Sequence, residues 1–222
     1  MDWTALTLSL KLAGATVALL LPLGLWLGRW LARTPARWKI WVEAAMLLPL
    51  VLPPTVLGYY LLVSLGSASP LGAWLLATFD IRLSFNFTGL LLASVVFNIP
   101  FMLQPMQRAF EAIPHKLIEA ATVNGLSAWA TFWRVELPLA WPGVMSAMVL
   151  TFVHTLGEFG VVLMVGGSIP GETRTIAIAI YDRVQAFDLQ GAHLMSLTLL
   201  AFSTLAIVAS LWGGRRATRG PR

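Results

Sequence analysis

The chain has 222 residues, 58% of them hydrophobic and only 11% charged, against about 25% charged in a soluble domain. A water-soluble fold of this size could not hide that much apolar surface, so lipid is its natural solvent. The formal net charge is +5, and the absence of cysteine excludes disulfides and thiolate metal sites.

Crossing the hydrocarbon takes roughly 20 apolar residues, and the charge-free stretches supply the predicted elements. The first span is expected at about 5–31, with Lys11 snorkelling to the interface. It carries no cleavage-site pattern and reads as a retained helix. A second is expected at about 44–65, ended by Gly66-Ser67-Ala68-Ser69-Pro70. A short apolar segment at 71–79 then lies at the surface or re-enters. A third span falls at about 88–107, a fourth at about 143–165 and a fifth at about 193–212. Between the last two, 177–187 has the periodicity of a short outer helix. The expected fold is an all-α, polytopic membrane bundle forming one domain over 1–222.

Basic residues mark the cytoplasmic loops of a membrane protein. Arg29, Arg33, Arg37 and Lys39 follow the first span. Arg108, Lys116 and Arg134 follow the third, and Arg215, Arg216, Arg219 and Arg222 form the tail. These alternate loops predict an outside N-terminus, five spans and an inside C-terminus. The same asymmetry accounts for the net positive charge without nucleic acid, for which no stacking or groove-reading module is visible.

The loop at 111–138 is too long for a turn and too polar for lipid. Pro114 suits a helix start. Asn124-Gly125 is a helix stop, with Gly125 free to take the left-handed cap conformation. Ser127 can cap a second helix, which Pro138 is expected to end. Ala120 and Ala121 present a small surface to a partner. Trp129, Phe132 and Trp133 supply an apolar face suited to a helix-in-groove contact.

Two features inside the spans carry candidate chemistry. Pro49, Pro53 and Pro54 interrupt the second span and free backbone groups. Thr55 and Tyr59, four apart, share a face there that is expected to border a translocation path. His154 and Glu158 are also four apart, in the fourth span. An ionisable residue inside a span is a functional hypothesis by default. A gating or structural role is expected, with Glu158 pairing to His154 or to a neighbouring helix, or lying near the outer surface. Gly157 and Gly160 permit close helix approach. Arg174 is expected in an outer loop.

The loop resembles the signature of ABC importer permeases: Glu-Ala-Ala, three residues, Gly, nine residues, Ile, one residue, Leu-Pro. Here it is Glu119-Ala120-Ala121, Gly125, Val135 and Leu137-Pro138, with valine for isoleucine as the one departure. The stretches 48–60 and 154–182 resemble the molybdate branch of that family, with sulfate and tungstate permeases as neighbours. The resemblance implies a coupling helix at Glu119, Ala120, Ala121, Gly125, Leu137 and Pro138. It implies a second copy of the chain, cytosolic ATPase subunits and an extracytoplasmic oxyanion-binding protein as partners. ATP and Mg would reside on the ATPase, because this chain has no phosphate loop. No cofactor or metal is expected on the chain itself, which would be a pore subunit and not an enzyme. The implied location is the cytoplasmic membrane of a prokaryote. A stand-alone secondary anion transporter is the rival class. It would place polar relays in several spans.

Overall fold

The computed structural model describes residues 1–218, the side chains at 211 and 213–218 excepted. Arg219 and Arg222, and the side chains of Arg215 and Arg216, lie outside the described residues, so the basic tail is not placed by it.

The first helix, α1 (Trp3–Arg33), starts where Asp2 accepts a hydrogen bond from the Ala5 N–H at 2.9 Å. The second predicted span is two helices, α2 (Lys39–Val51) and α3 (Pro54–Leu65), bent by 107°. A residue before proline is pushed out of the helical region, and two such positions occur in succession. Leu52 and Pro53 are both extended, with ψ of 139° and 133°. The stretch expected to lie at the surface or to re-enter is a helix, α4 (Pro70–Phe79), capped by Ser69. Next comes α5 (Phe87–Glu111), capped by Asn86, whose side chain accepts from the Gly89 N–H at 2.8 Å.

The signature loop folds as α6 (His115–Val123) and α7 (Ala128–Thr131), then a π-helical turn at Phe132–Glu136 that runs directly into α8 (Leu137–Gly157). Pro138 therefore does not end the second loop helix; it lies in the first turn of α8. The Leu137 N–H reaches back five residues to the Phe132 carbonyl. That wider turn accommodates a ring that would clash with the carbonyl of an ordinary α-turn.

The apolar stretch 143–165 is also not one helix. The chain leaves α8 at Glu158 (ψ 128°) and resumes as α9 (Gly160–Gly166). The outer helix α10 (Ile176–Gln185) follows, and α11 (Leu189–Thr218) closes the chain. It starts before the expected 193 because Asp188 accepts from the Gly191 N–H at 2.9 Å.

Four helices among the described residues are long and apolar enough to cross a membrane, or five if the bent α2–α3 pair counts as one span. The core lies where α1, α5 and α8 meet. Leu20, Leu31, Met102, Leu103, Met106, Phe110 and Val144 are buried there. Gly24 and Gly28 let α1 approach α5 closely: a Cβ at Gly24 would sit 2.7 Å from Met106 Sδ. Small residues at helix contacts drive packing in lipid, where apolar burial gives little net gain. One end of this bundle collects Arg29, Arg33, Lys39, the α5 terminus and α6; we call it the basic end. The N-terminus of α1 meets α10 and α11 at the opposite end, through Ala5, Ile176 and Met195.

Candidate functional site

Three groups of residues stand out. At the basic end, α6 closes in a Schellman cap. Gly125 has φ of +80° and its N–H donates to the Thr122 carbonyl, while the Leu126 N–H donates to the Ala121 carbonyl at 3.1 Å. Ser127 then caps α7 by accepting from the Ala130 N–H at 3.2 Å. Glu119, Ala120, Gly125 and Pro138 are exposed, and Leu137 is half-buried. Ala121 is buried, so of the two alanines only Ala120 presents its side chain at the surface. A Cβ at Gly125 would meet nothing within 4 Å. Glycine is therefore needed there for its backbone angle and not for room inside this chain.

The sequence reading missed the anchor beneath this turn. Glu136, in the π-helical turn, is buried and accepts from Arg29 Nε at 2.5 Å and Arg29 Nη2 at 3.1 Å. Arg33 Nη2 lies 3.2 Å from the same carboxylate. This bidentate pair ties the end of α1 to the entry of α8.

The second group is in the interior. Glu158 does not pair with His154 directly. Its Oε2 accepts from Ser94 Oγ at 2.9 Å and from Asn98 Nδ2 at 3.1 Å, both on α5. The Asn98 Oδ1 faces His154 Nδ1 at 3.0 Å. An amide oxygen only accepts, so His154 donates there. Thr16 of α1 donates to Ser94 Oγ at 3.3 Å, and Phe101 stacks on the His154 ring at 3.7 Å. Asn98 thus bridges the two predicted residues, and the cluster joins α1, α5 and α8 where α8 breaks. Ser94 and Asn98, four apart in the apolar middle of the span, were the available signal for it.

Replacing Asn98 with leucine keeps the volume and removes both bridges. The expected cost is about 1–3 kcal/mol, read as a fall of several degrees in the melting temperature of the solubilised chain. An unchanged melting temperature would show that the bridge contributes nothing.

The third group is on α3. Gly58 packs on α9, where an added Cβ would lie 2.7 Å from Met164 Cβ, and Gly160 packs on Pro54 in the same way at 2.9 Å. Gly157, in contrast, approaches nothing within 4 Å. Thr55 and Tyr59 are exposed on α3. They are brought together with neither Glu158 nor the α6 turn, but Glu158 immediately precedes the segment on which α3 rests. Arg174 pairs with Asp182 of α10 at 3.0 Å. Among the described residues, no cluster of three or more His, Asp or Glu side chains could hold a metal ion.

The chain is similar to transport permeases over nearly its whole length. It is 46% identical over 219 residues to the molybdenum transport system permease protein ModB of Azotobacter vinelandii, covering 99% of this chain and 96% of that one. It is 36% identical over 215 residues to the protein of the same name in Escherichia coli K12, covering 96% of this chain and 94% of that one. A probable sulfate transport system permease protein of Chlorella vulgaris is 31% identical over 178 residues, covering 78% of this chain and 66% of that one. Among solved structures, the bacterial alginate ABC transporter in complex with an alginate pentasaccharide-bound periplasmic protein superposes with a TM-score of 0.76 at 17% identity. That match covers 97% of this chain and 79% of that one, and it is a likeness of fold. Residues 21–218 match the family of binding-protein-dependent transport system inner membrane components, and the chain, an all-helical bundle with several membrane-spanning helices, belongs to that family.

Proposed function

We propose that the chain is the membrane-spanning permease subunit of an ATP-driven importer that carries molybdate across the cytoplasmic membrane of a prokaryote. The observation that carries the coupling part of this reading is the α6 turn. Glu119, Ala120 and Gly125 stand exposed on a rigid capped helix at the basic end, above a buried ion pair that anchors the turn to the bundle. Similarity to molybdenum transport permeases over nearly the full length supports the substrate.

In this reading the basic end faces the cytoplasm, the N-terminus lies outside and the C-terminus inside. Two copies form one pore. Cytosolic ATPase subunits, which hold ATP and Mg, dock on Glu119, Ala120, Ala121, Gly125, Leu137 and Pro138. An extracytoplasmic binding protein delivers the oxyanion. Ala121 contributes from beneath the surface by letting α6 sit close to the chain.

Closure of the ATPases moves α6. The continuous α7–π–α8 rod carries that motion to the break at Glu158, and α9 passes it to α3. Thr55 and Tyr59 then border the path with uncharged donors, which bind an anion without trapping it as a fixed lysine would. Glu158 and His154 act through the Asn98 bridge as a gate hinge and do not touch substrate. The acid is turned into α5, away from any anion.

The test is cellular molybdenum content at trace molybdate, in cells with and without the chain, with excess sulfate as competitor. Molybdenum is expected to fall on deletion, and sulfate is not expected to compete. Unchanged molybdenum with reduced sulfate or tungstate uptake would keep the importer and overturn the substrate.

A further inference from the structure

We infer that the tryptophan-lined cleft between α1 and the α7–π-turn segment binds an anionic phospholipid. The cleft has a volume of about 920 Å³ and is lined by Trp26, Trp30, Trp129, Trp133, Arg29 and Arg33, among others. It lies at the basic end, where α1 leaves the apolar stretch. Tryptophans gather at that level of a membrane because their rings match the boundary between tails and headgroups. Trp26 and Trp129 are 67% and 71% exposed, far more than a protein core tolerates without a covering.

Charge chooses the occupant. Two guanidinium groups face the single Glu136 carboxylate, so one positive charge is uncompensated. Arg29 spends Nε and Nη2 on that carboxylate. Arg33, its side chain 22% exposed in the lining of the cleft, makes only a single 3.2 Å contact to it. A surplus guanidinium charge in the lining of an apolar cleft calls for an oxyanion, and a phosphodiester headgroup above apolar tails supplies one beside a surface for its chains.

A second copy fits less well. Of the acids at this end, Glu43 and Glu111 lie against Lys39 and Glu136 is consumed inside the fold. That leaves Glu119 to answer the arginines.

The test uses the full-length permease, purified and relipidated in an equimolar mixture of phosphatidylcholine and phosphatidylglycerol. Lipid that remains bound after gentle delipidation is then quantified. The parent protein is expected to retain phosphatidylglycerol about five-fold over phosphatidylcholine, the preference one basic side chain gives near a membrane surface. Arg33→Gln is expected to bring the ratio close to one. Trp129→Ala is expected to lower the total retained while leaving the preference. Retention at the input ratio by the parent overturns the site, as does an Arg33→Gln variant that keeps the preference.

A companion measurement does not depend on any variant folding. Brominated phosphatidylglycerol is expected to quench tryptophan fluorescence more than brominated phosphatidylcholine, with the difference lost at high salt. Equal quenching overturns the proposal. Repeating the retention assay on the permease–ATPase complex distinguishes lipid from protein cover: loss of enrichment there would assign the cleft to the ATPase and overturn it as well.

Discussion

Replacing Arg29 with leucine is expected to destabilise the protein by about 1–3 kcal/mol, the cost of leaving a buried carboxylate short of its hydrogen-bond donors. Glu136 is the more deeply buried partner, with its side chain 1% exposed against 33% for Arg29. Removing the arginine therefore leaves the carboxylate with Arg33 alone, whose contact at 3.2 Å is single and poorly aligned. The double variant Arg29→Leu with Glu136→Leu is expected to recover much of the loss, since well-packed apolar residues often substitute for a buried pair without penalty. Thermal unfolding of the solubilised full chain reads both. If the single variant melts like its parent, or the double variant is worse than the single, the pair is not the anchor described. If α6 couples to an ATPase as proposed, the pair also lies on the route of that motion. Glu136 sits between the α6–α7 turn and α8, so a loosened pair should lower transport at a temperature where the protein is still folded.

The second large effect is expected at Gly125. Gly125→Val should reduce uptake at least ten-fold while the ATPase continues to hydrolyse ATP. A β-branched residue at φ of +80° costs about 1–3 kcal/mol of backbone strain, enough to unwind the Schellman cap and move α6. Gly125→Asn separates two causes, because asparagine tolerates the left-handed region and its side chain enters open space within this chain. Loss of uptake with asparagine, at normal expression, would mean that a docked partner occupies that space. Normal uptake with asparagine and loss with valine would mean that only the backbone angle matters. Normal uptake with valine would remove Gly125 from the coupling role.

Much of the architecture was legible from local physics. Long charge-free runs marked α1, α5 and α11, since hydrocarbon thickness alone demands them. The α6 stop at Gly125 and the cap at Ser127 were legible because a cap involves only residues two to four positions apart. The family signature could be read for the same reason, being a pattern within one loop.

What needed the folded chain was every contact between distant segments, and every place where two local signals competed. Pro53-Pro54 announced a break, but the 107° bend between α2 and α3 and the close seat of Gly58 on α9 appear only in the folded chain. Pro138 reads as a helix end by its missing N–H, yet a widened turn absorbs it and keeps α7 and α8 in one rod. Glu158 and His154 looked like a pair at helical spacing; the break at Glu158 takes the acid off the helix, and Asn98 comes between them. Arg29 and Glu136 are 107 residues apart, and no propensity or period links them. Composition and spacing thus determined that the chain is an all-helical membrane bundle, where its long apolar helices run and where α6 stops, because those depend on solvent and near neighbours. The Asn98 bridge, the Arg29–Glu136 pair and the tryptophan cleft were decided only by the tertiary structure, because each is made of side chains that meet when separate helices pack.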